Sequence, residues 1–143
     1  GVAQATFLAM AGLTRLGLAH VARSAIEPDE MLPAVAQGAI GVERRRADGR
    51  MHALLDAIHD RETGLRVDAE RAFLERLDGS CETPIAGLAM LAGDGLWLRG
   101  EILRPDGSAV VAGDIRGAAG DGPALGRELA ARLLAEAGPG FFG

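Results

Sequence analysis

The chain has 143 residues and a formal net charge of −5, with 20 acidic residues and 15 basic ones, all of them arginine. That length buries one hydrophobic core, or one and part of another, and the acidic balance excludes a broad nucleic-acid surface, which draws its affinity from clustered basic residues. One cysteine and three histidines supply neither a disulfide nor a zinc cluster, which points to a reducing, cytoplasmic setting.

The chain opens at Gly1 without Met and enters apolar sequence at once, so it reads as cut from something longer. Ala5 to Ala11 is a continuous small-apolar run of strand length, ended by Gly12. The tract to Leu13 is far short of the roughly 20 residues of a membrane span, and no basic segment precedes it as in a secretory signal. Such a run suits a strand buried on both faces. From Leu13 the spacing turns helical, and Arg15 falls just beyond the strand end, where mixed sheets address ligands. The ordinary alternative for Arg15 is a solvated surface arginine.

Pro33 to Glu43 reads as a second extended segment. Gln37 and Gly38 in its middle suggest a bulge or a close backbone approach, and Gln37 inside an apolar run needs hydrogen-bond partners from backbone or ligand. Arg44 to Gly49 marks a turn. Arg50 to Thr63 is expected to be a helix, with Met51, Leu54, Leu55 and Ile58 on its apolar face. His52, Asp56 and His59 share another face at metal-ligand spacing, although solvated side chains are the commoner explanation and no further ligand is evident.

Val67 to Leu77 is the next predicted helix, with Ala69, Ala72, Phe73 and Leu77 buried and Asp68 near its positive end. Arg71 and Glu75 stand at i, i+4, a surface ion-pair spacing. Gly79 is expected as the left-handed C-terminal residue, and Ser80 and Cys81 follow in the loop. After Pro84 the pattern becomes an antiparallel sheet: Ile85 to Leu91, Leu96 to Leu103 and Ala109 to Arg116, with turns at Gly93-Asp94-Gly95 and Pro105-Asp106-Gly107. Pro123 opens a helix to Ala137 with Leu125, Leu129, Leu133 and Leu134 on one face, and the tail GPGFFG reads as frayed or loosely docked. The expected class is α+β: a C-terminal three-stranded antiparallel sheet packed with helices, preceded by fragments of two α/β domains.

Three stretches carry a resemblance: LAMAGLTRLGL (Leu8 to Leu18), LPAVAQGAIGVE (Leu32 to Glu43) and ETGLRVDAERAFLERLDGSCETPIAG (Glu62 to Gly87). They are similar, in the same order, to the C-terminal part of the porphobilinogen deaminases, also called hydroxymethylbilane synthases; the match covers nearly the whole chain, which corresponds to somewhat less than half of such an enzyme. The resemblance implies that residues 1–35 end the second α/β domain, 36–60 return to the first as a strand and helix, and 61–143 form the cofactor-bearing α+β domain.

In that family four porphobilinogen molecules are condensed with loss of ammonia onto a dipyrromethane primer, and the linear tetrapyrrole is released. The resemblance places the covalent thioether at Cys81. A thiolate is a soft nucleophile for the electrophilic methylene of an azafulvene, although Asp78 and Glu82 beside it would raise the thiol pKa. Each pyrrole bears acetate and propionate groups, which the planar arginine fork suits. By resemblance Arg15 binds substrate carboxylate, and Arg71 and Gln37 bind the cofactor. Ser80 and Ala36 stand where the family commonly has glycine, and Gln4 where an acid is common.

The family's catalytic aspartate lies in the first domain, so no catalytic residue is expected in this chain. The isolated chain is expected to be inactive with Cys81 unmodified, its partners being the N-terminal domains, porphobilinogen and the growing pyrrole chain, with no metal, nucleic acid or membrane. The alternative from another class is a free-standing α+β interaction or regulatory module with an inert cysteine.

Overall fold

The computed structural model describes residues 2–79 and 83–143. Among them are helices α1 (Met10–Arg15), α2 (Gly49–Asp56), α3 (Arg61–Arg76) and α4 (Gly122–Ala137), and strands β1 (Ile85–Ala92), β2 (Gly95–Leu103) and β3 (Val110–Ala118). This is an α+β fold. The backbone clusters into two units, Gly1–Met31 and Leu32–Gly143.

In the first unit the apolar run at Ala5 to Ala11 is not a strand. Its first part has no regular structure, and Met10 already begins α1. A strand needs neighbours for its backbone groups, and no described strand pairs with it; Phe7 and Leu8 are exposed. Gly12 lies inside α1 rather than ending a strand. The helix closes at Gly17 (φ 70°), where Leu18 N–H reaches back to Leu13 O at 2.8 Å and Gly17 N–H to Thr14 O, the paired C-terminal bonds of a Schellman turn.

In the second unit, successive hairpins give a sheet of order β1-β2-β3, antiparallel throughout. The alternation read from the sequence holds. Leu96, Leu98, Gly100 and Ile102 of β2 face inward under α3 and α4, while Trp97, Arg99 and Glu101 face outward. On the outer face Trp97 donates its indole N–H to Asp114 Oδ2 at 2.7 Å, and the Arg116 guanidinium lies 4.2 Å from the ring centre.

Three glycines, Gly87, Gly100 and Gly113, stand in register across the three strands. The Phe73 ring of α3, fully buried, rests in this lane: a Cβ on Gly100 would come within 2.5 Å of its Cζ. On Gly113 the space is taken by Leu133 and Leu129 of α4. The helices touch where Gly126 of α4 faces the α3 backbone at Ala69 and Phe73, leaving no room for a side chain. Pro123 lies in the first turn of α4, as expected of its fixed φ.

Several boundaries differ from the sequence reading. Pro33 to Glu43 is not extended: tight turns join Gln37 N–H to Ala34 O and Ala39 N–H to Ala36 O, with Ala36 (φ 57°) and Gly38 (φ 81°) left-handed. Gly38 is therefore needed for its backbone angle, since nothing lies within 4 Å of a Cβ placed there. The expected helix Arg50 to Thr63 stops at Asp56, and α3 starts at Arg61, because the Asp60 side chain accepts the Thr63 N–H and caps a new helix. Asp68 is consequently mid-helix rather than near a positive end.

At the other end of α3 the left-handed residue is Asp78 (φ 53°), not Gly79. Asp78 N–H bonds Glu75 O and Gly79 N–H bonds Leu74 O, another Schellman turn, and an aspartate tolerates its left-handed position. Gly79 is small for a different reason: its Cβ would meet Leu74 Cδ1 at 2.5 Å and Ile85 Cδ1 at 2.7 Å. The C-terminal tail is docked, not frayed. Phe141 is buried in the core, makes an edge-to-face contact with Phe142, and lies under the Arg104 guanidinium.

The glycine lane predicts a graded response to added methyl groups. Gly100→Ala should cost about 1–3 kcal/mol through overpacking against Phe73, and Gly126→Ala more, because the atoms met are backbone. Gly120→Ala, with open space around it, should stay within about 0.5 kcal/mol. Urea unfolding of the three variants checks the order.

Candidate functional site

The second unit carries a groove of about 590 Å³ between residues 38–42, the end of α2 and the first turns of α3. Its shape follows from two caps. Asp48 accepts the Met51 N–H and starts α2, and Asp60 accepts the Thr63 N–H and starts α3 a few residues after α2 ends. His59 between them lies against Gly64, where a Cβ would sit 2.9 Å from two imidazole atoms, so glycine there lets the imidazole approach the first turn of α3.

The groove wall carries His59, Asp60, Asp68 and Arg71 among apolar Ile40, Val42, Leu55, Ile58 and Val67. The Thr63 amide, together with the Thr63 hydroxyl, holds the Asp60 carboxyl below the ordinary aspartate value of 3.8. Arg71 does not form the ion pair with Glu75 that the i, i+4 spacing suggested: neither residue is in any ion pair among the described residues. Its guanidinium turns instead toward residue 41, with Nη2 at 3.9 Å from where a Cβ on Gly41 would be. Another hollow, about 510 Å³, is lined by residues between Leu134 and Gly143 and holds no acidic, basic or thiol side chain, so it offers no comparable chemistry.

Glu70, one residue before Arg71, was missed by the sequence reading. It is 5% exposed, and its carboxyl group accepts two backbone N–H bonds, from Ala36 at 2.7 Å and from Ala89 at 2.8 Å. Bonds of this kind to a charged group contribute about 1.5–3 kcal/mol each. The signal was present: Glu70 lies three residues before Phe73 and seven before Leu77, on the buried stripe, and an acid there needs donors.

The other expected site residues are distributed as follows. Gln37 is exposed at the start of the turn that leads into residues 38–42 of the groove. An exposed amide needs no protein partner, so the hydrogen-bonding need inferred for a buried glutamine does not arise. Arg15 is an exposed residue at the end of α1, in the first unit. Cys81 lies outside the described residues, as do its neighbours Ser80 and Glu82. The two stems of its loop are described: α3 with its Schellman turn on one side, and β1 on the other.

The metal alternative gains nothing. His52 and Asp56 approach to 3.5 Å on α2, but His59 falls beyond the end of that helix, and the described residues contain no group of three suitable ligands. Among the described residues no helix is long and apolar enough to cross a membrane.

Helices on one face of a three-stranded antiparallel sheet, with a groove carrying charged side chains beside the helix that precedes the cysteine segment, define an α+β domain. Residues 64–135 match the family model described as the C-terminal domain of porphobilinogen deaminase, and residues 1–53 match the one described as its dipyrromethane cofactor binding domain. The chain belongs to the porphobilinogen deaminase family. It is 69% identical over 142 residues to a porphobilinogen deaminase of Paracoccus denitrificans and 49% identical to one of Nitrobacter hamburgensis. In each case 99% of this chain is covered and 45% of the relative, so the chain spans just under half their length. Arg15 and Gln37 fall in the segment matched by the cofactor-binding model, Arg71 and Cys81 in the segment matched by the C-terminal model.

The Asp60 cap gives a pH prediction. A carboxyl whose folded pKa is depressed stabilises the fold above its unfolded pKa and loses that contribution as pH falls through the folded value. Exchange of the Thr63 amide should therefore accelerate, relative to core amides, as pH drops below 3.8. Asp60→Asn should abolish this pH dependence; hydrogen exchange followed by NMR checks both.

Proposed function

We propose that this chain is the cofactor-bearing C-terminal portion of a porphobilinogen deaminase, the transferase that condenses four porphobilinogen molecules into the linear tetrapyrrole hydroxymethylbilane with loss of four molecules of ammonia. The observation that carries the reading is the family match along nearly the whole chain, joined to a groove whose arginine is free of its helical neighbour and turned toward the 38–42 segment.

The residues fit a dipyrromethane. That group presents acetate and propionate side chains, and a groove of about 590 Å³ walled by Arg71 and apolar residues suits two rings with acidic substituents. When bound, it supplies the primer on which the pyrrole chain grows. In this reading Cys81 would hold it through its sulfur as a thioether, Arg71 would fork a cofactor carboxylate, Gln37 would offer its amide to the cofactor, and Arg15 would bind a substrate carboxylate. Residues 1–35 and 36–60 complete two α/β domains contributed mostly by the missing part, and 61–143 form the third domain. The catalytic aspartate belongs to that missing part, and the isolated chain is inactive with an unmodified cysteine. The whole enzyme works in the cytoplasm.

Intact-mass and peptide analysis of the full-length protein tests this. A two-pyrrole adduct on the Cys81 peptide, absent from Cys81→Ala, together with hydroxymethylbilane formation, is the expected result. Active protein with a free Cys81 thiol overturns the anchor, and inactive, unmodified full-length protein supports the interaction-module alternative. Arg71→Leu and Arg15→Leu should each lower kcat/KM about 10–100-fold, the loss of one charge-assisted carboxylate contact.

A further inference from the structure

The Glu70 carboxyl joins three pieces of backbone that the proposed function uses separately. It sits on α3 next to Arg71, but successive helical residues point about 100° apart, so Glu70 faces inward while Arg71 faces the groove. One oxygen accepts the N–H of Ala36, the residue before Gln37, and the other accepts the N–H of Ala89 in β1. Next to it on the same edge of β1, Gly87 N–H donates to Pro33 O at 3.0 Å. The 33–36 segment is thus fastened to the sheet edge by one carbonyl and one carboxyl.

Ala36 is held in a left-handed conformation (φ 57°) that a residue with a Cβ adopts only when its surroundings enforce it. Its N–H carries the shorter of the two bonds to Glu70. Beyond it, the turn through Gln37 and Gly38 leads directly into the groove wall opposite Arg71. The same carboxyl ties α3 to β1, the two stems of the Cys81 loop.

We propose that Glu70 is a positioning residue: it sets the Gln37 turn and the stems of the cysteine loop in register with Arg71. This rests on the cofactor reading above and adds to it the group that holds the cofactor's contacts in place. A purely architectural role is insufficient to account for the placement, because Ala69, Phe73 and Leu77 already bury the inner face of α3 on the sheet. Losing the carboxyl releases the 36–42 segment first, and the core only secondarily.

Glu70→Gln tests it, since glutamine keeps the shape but presents one acceptor and one donor to two N–H groups. In the full-length protein, dipyrromethane loading or kcat should fall at least tenfold while KM for porphobilinogen changes less than twofold, because Glu70 does not touch substrate. Leu133→Ala, a core change on α4, should lower the melting temperature at least as much yet keep loading and kcat. In hydrogen exchange, the Ala36 or Ala89 amide of Glu70→Gln should exchange at least tenfold faster, with Leu98 unchanged.

Normal loading and kcat in Glu70→Gln overturns the proposal, and so does an equal loss in Leu133→Ala. Wild-type protein that is itself unmodified counts against the cofactor reading instead. In that case unchanged exchange at Ala36 and Ala89 still refutes the positioning role, and selectively faster exchange sustains it.

Discussion

A phenylalanine ring lying on a row of glycines sets the distance between α3 and the sheet. Phe73 occupies the space that a side chain on Gly100 would need and lies in contact distance of Gly87, and Gly126 brings α4 against the same helix. These close approaches fix α3 in height and rotation, since packed interiors leave no slack for a helix to turn. Everything chemically interesting in the second unit is then a matter of which direction a residue leaves α3. Phe73 and Ala69 go down into the core, Glu70 goes sideways to the edge of β1, and Arg71 goes to the groove.

That arrangement explains why a polar groove persists beside so small a core. Asp60 restarts the helix immediately after α2, so the chain folds back and leaves a hollow instead of one long helix. Its floor is α3, already immobilised from below, and its far wall is the Gly38 to Val42 segment, which follows tight turns held by backbone bonds and by Glu70. The backbone that carries Arg71 is thereby fixed before anything enters the groove, which lowers the ordering cost of binding there.

Legibility in the sequence followed the range of the interactions involved. The two hairpins were plain, because alternation and the Gly93-Asp94-Gly95 and Pro105-Asp106-Gly107 turns are local signals, and Pro123 announced α4 equally well. The run at Ala5 to Ala11 was misread because apolar sequence signals a wish for burial, and a strand also requires partners that sequence does not display. The start of α3 was misplaced because the apolar spacing of Met51, Leu54, Leu55 and Ile58 was carried on to Thr63, past the Asp60 cap that begins a new helix. Gly79 was credited with a backbone angle that Asp78 adopts. Glu70 escaped notice because the buried stripe was read only through its apolar members. The role proposed for Cys81 rests on family resemblance alone: a single cysteine has no sequence pattern of its own.

Trp97, the single tryptophan, is on the sheet face opposite the helices, with its indole N–H on a carboxylate and an arginine over its ring. Its fluorescence is therefore a built-in reporter of that outer face, quenched or shifted by whatever disturbs the Asp114 and Arg116 contacts. The groove has no tryptophan on its walls, so Trp97 emission reports on the outer sheet face and not directly on the groove.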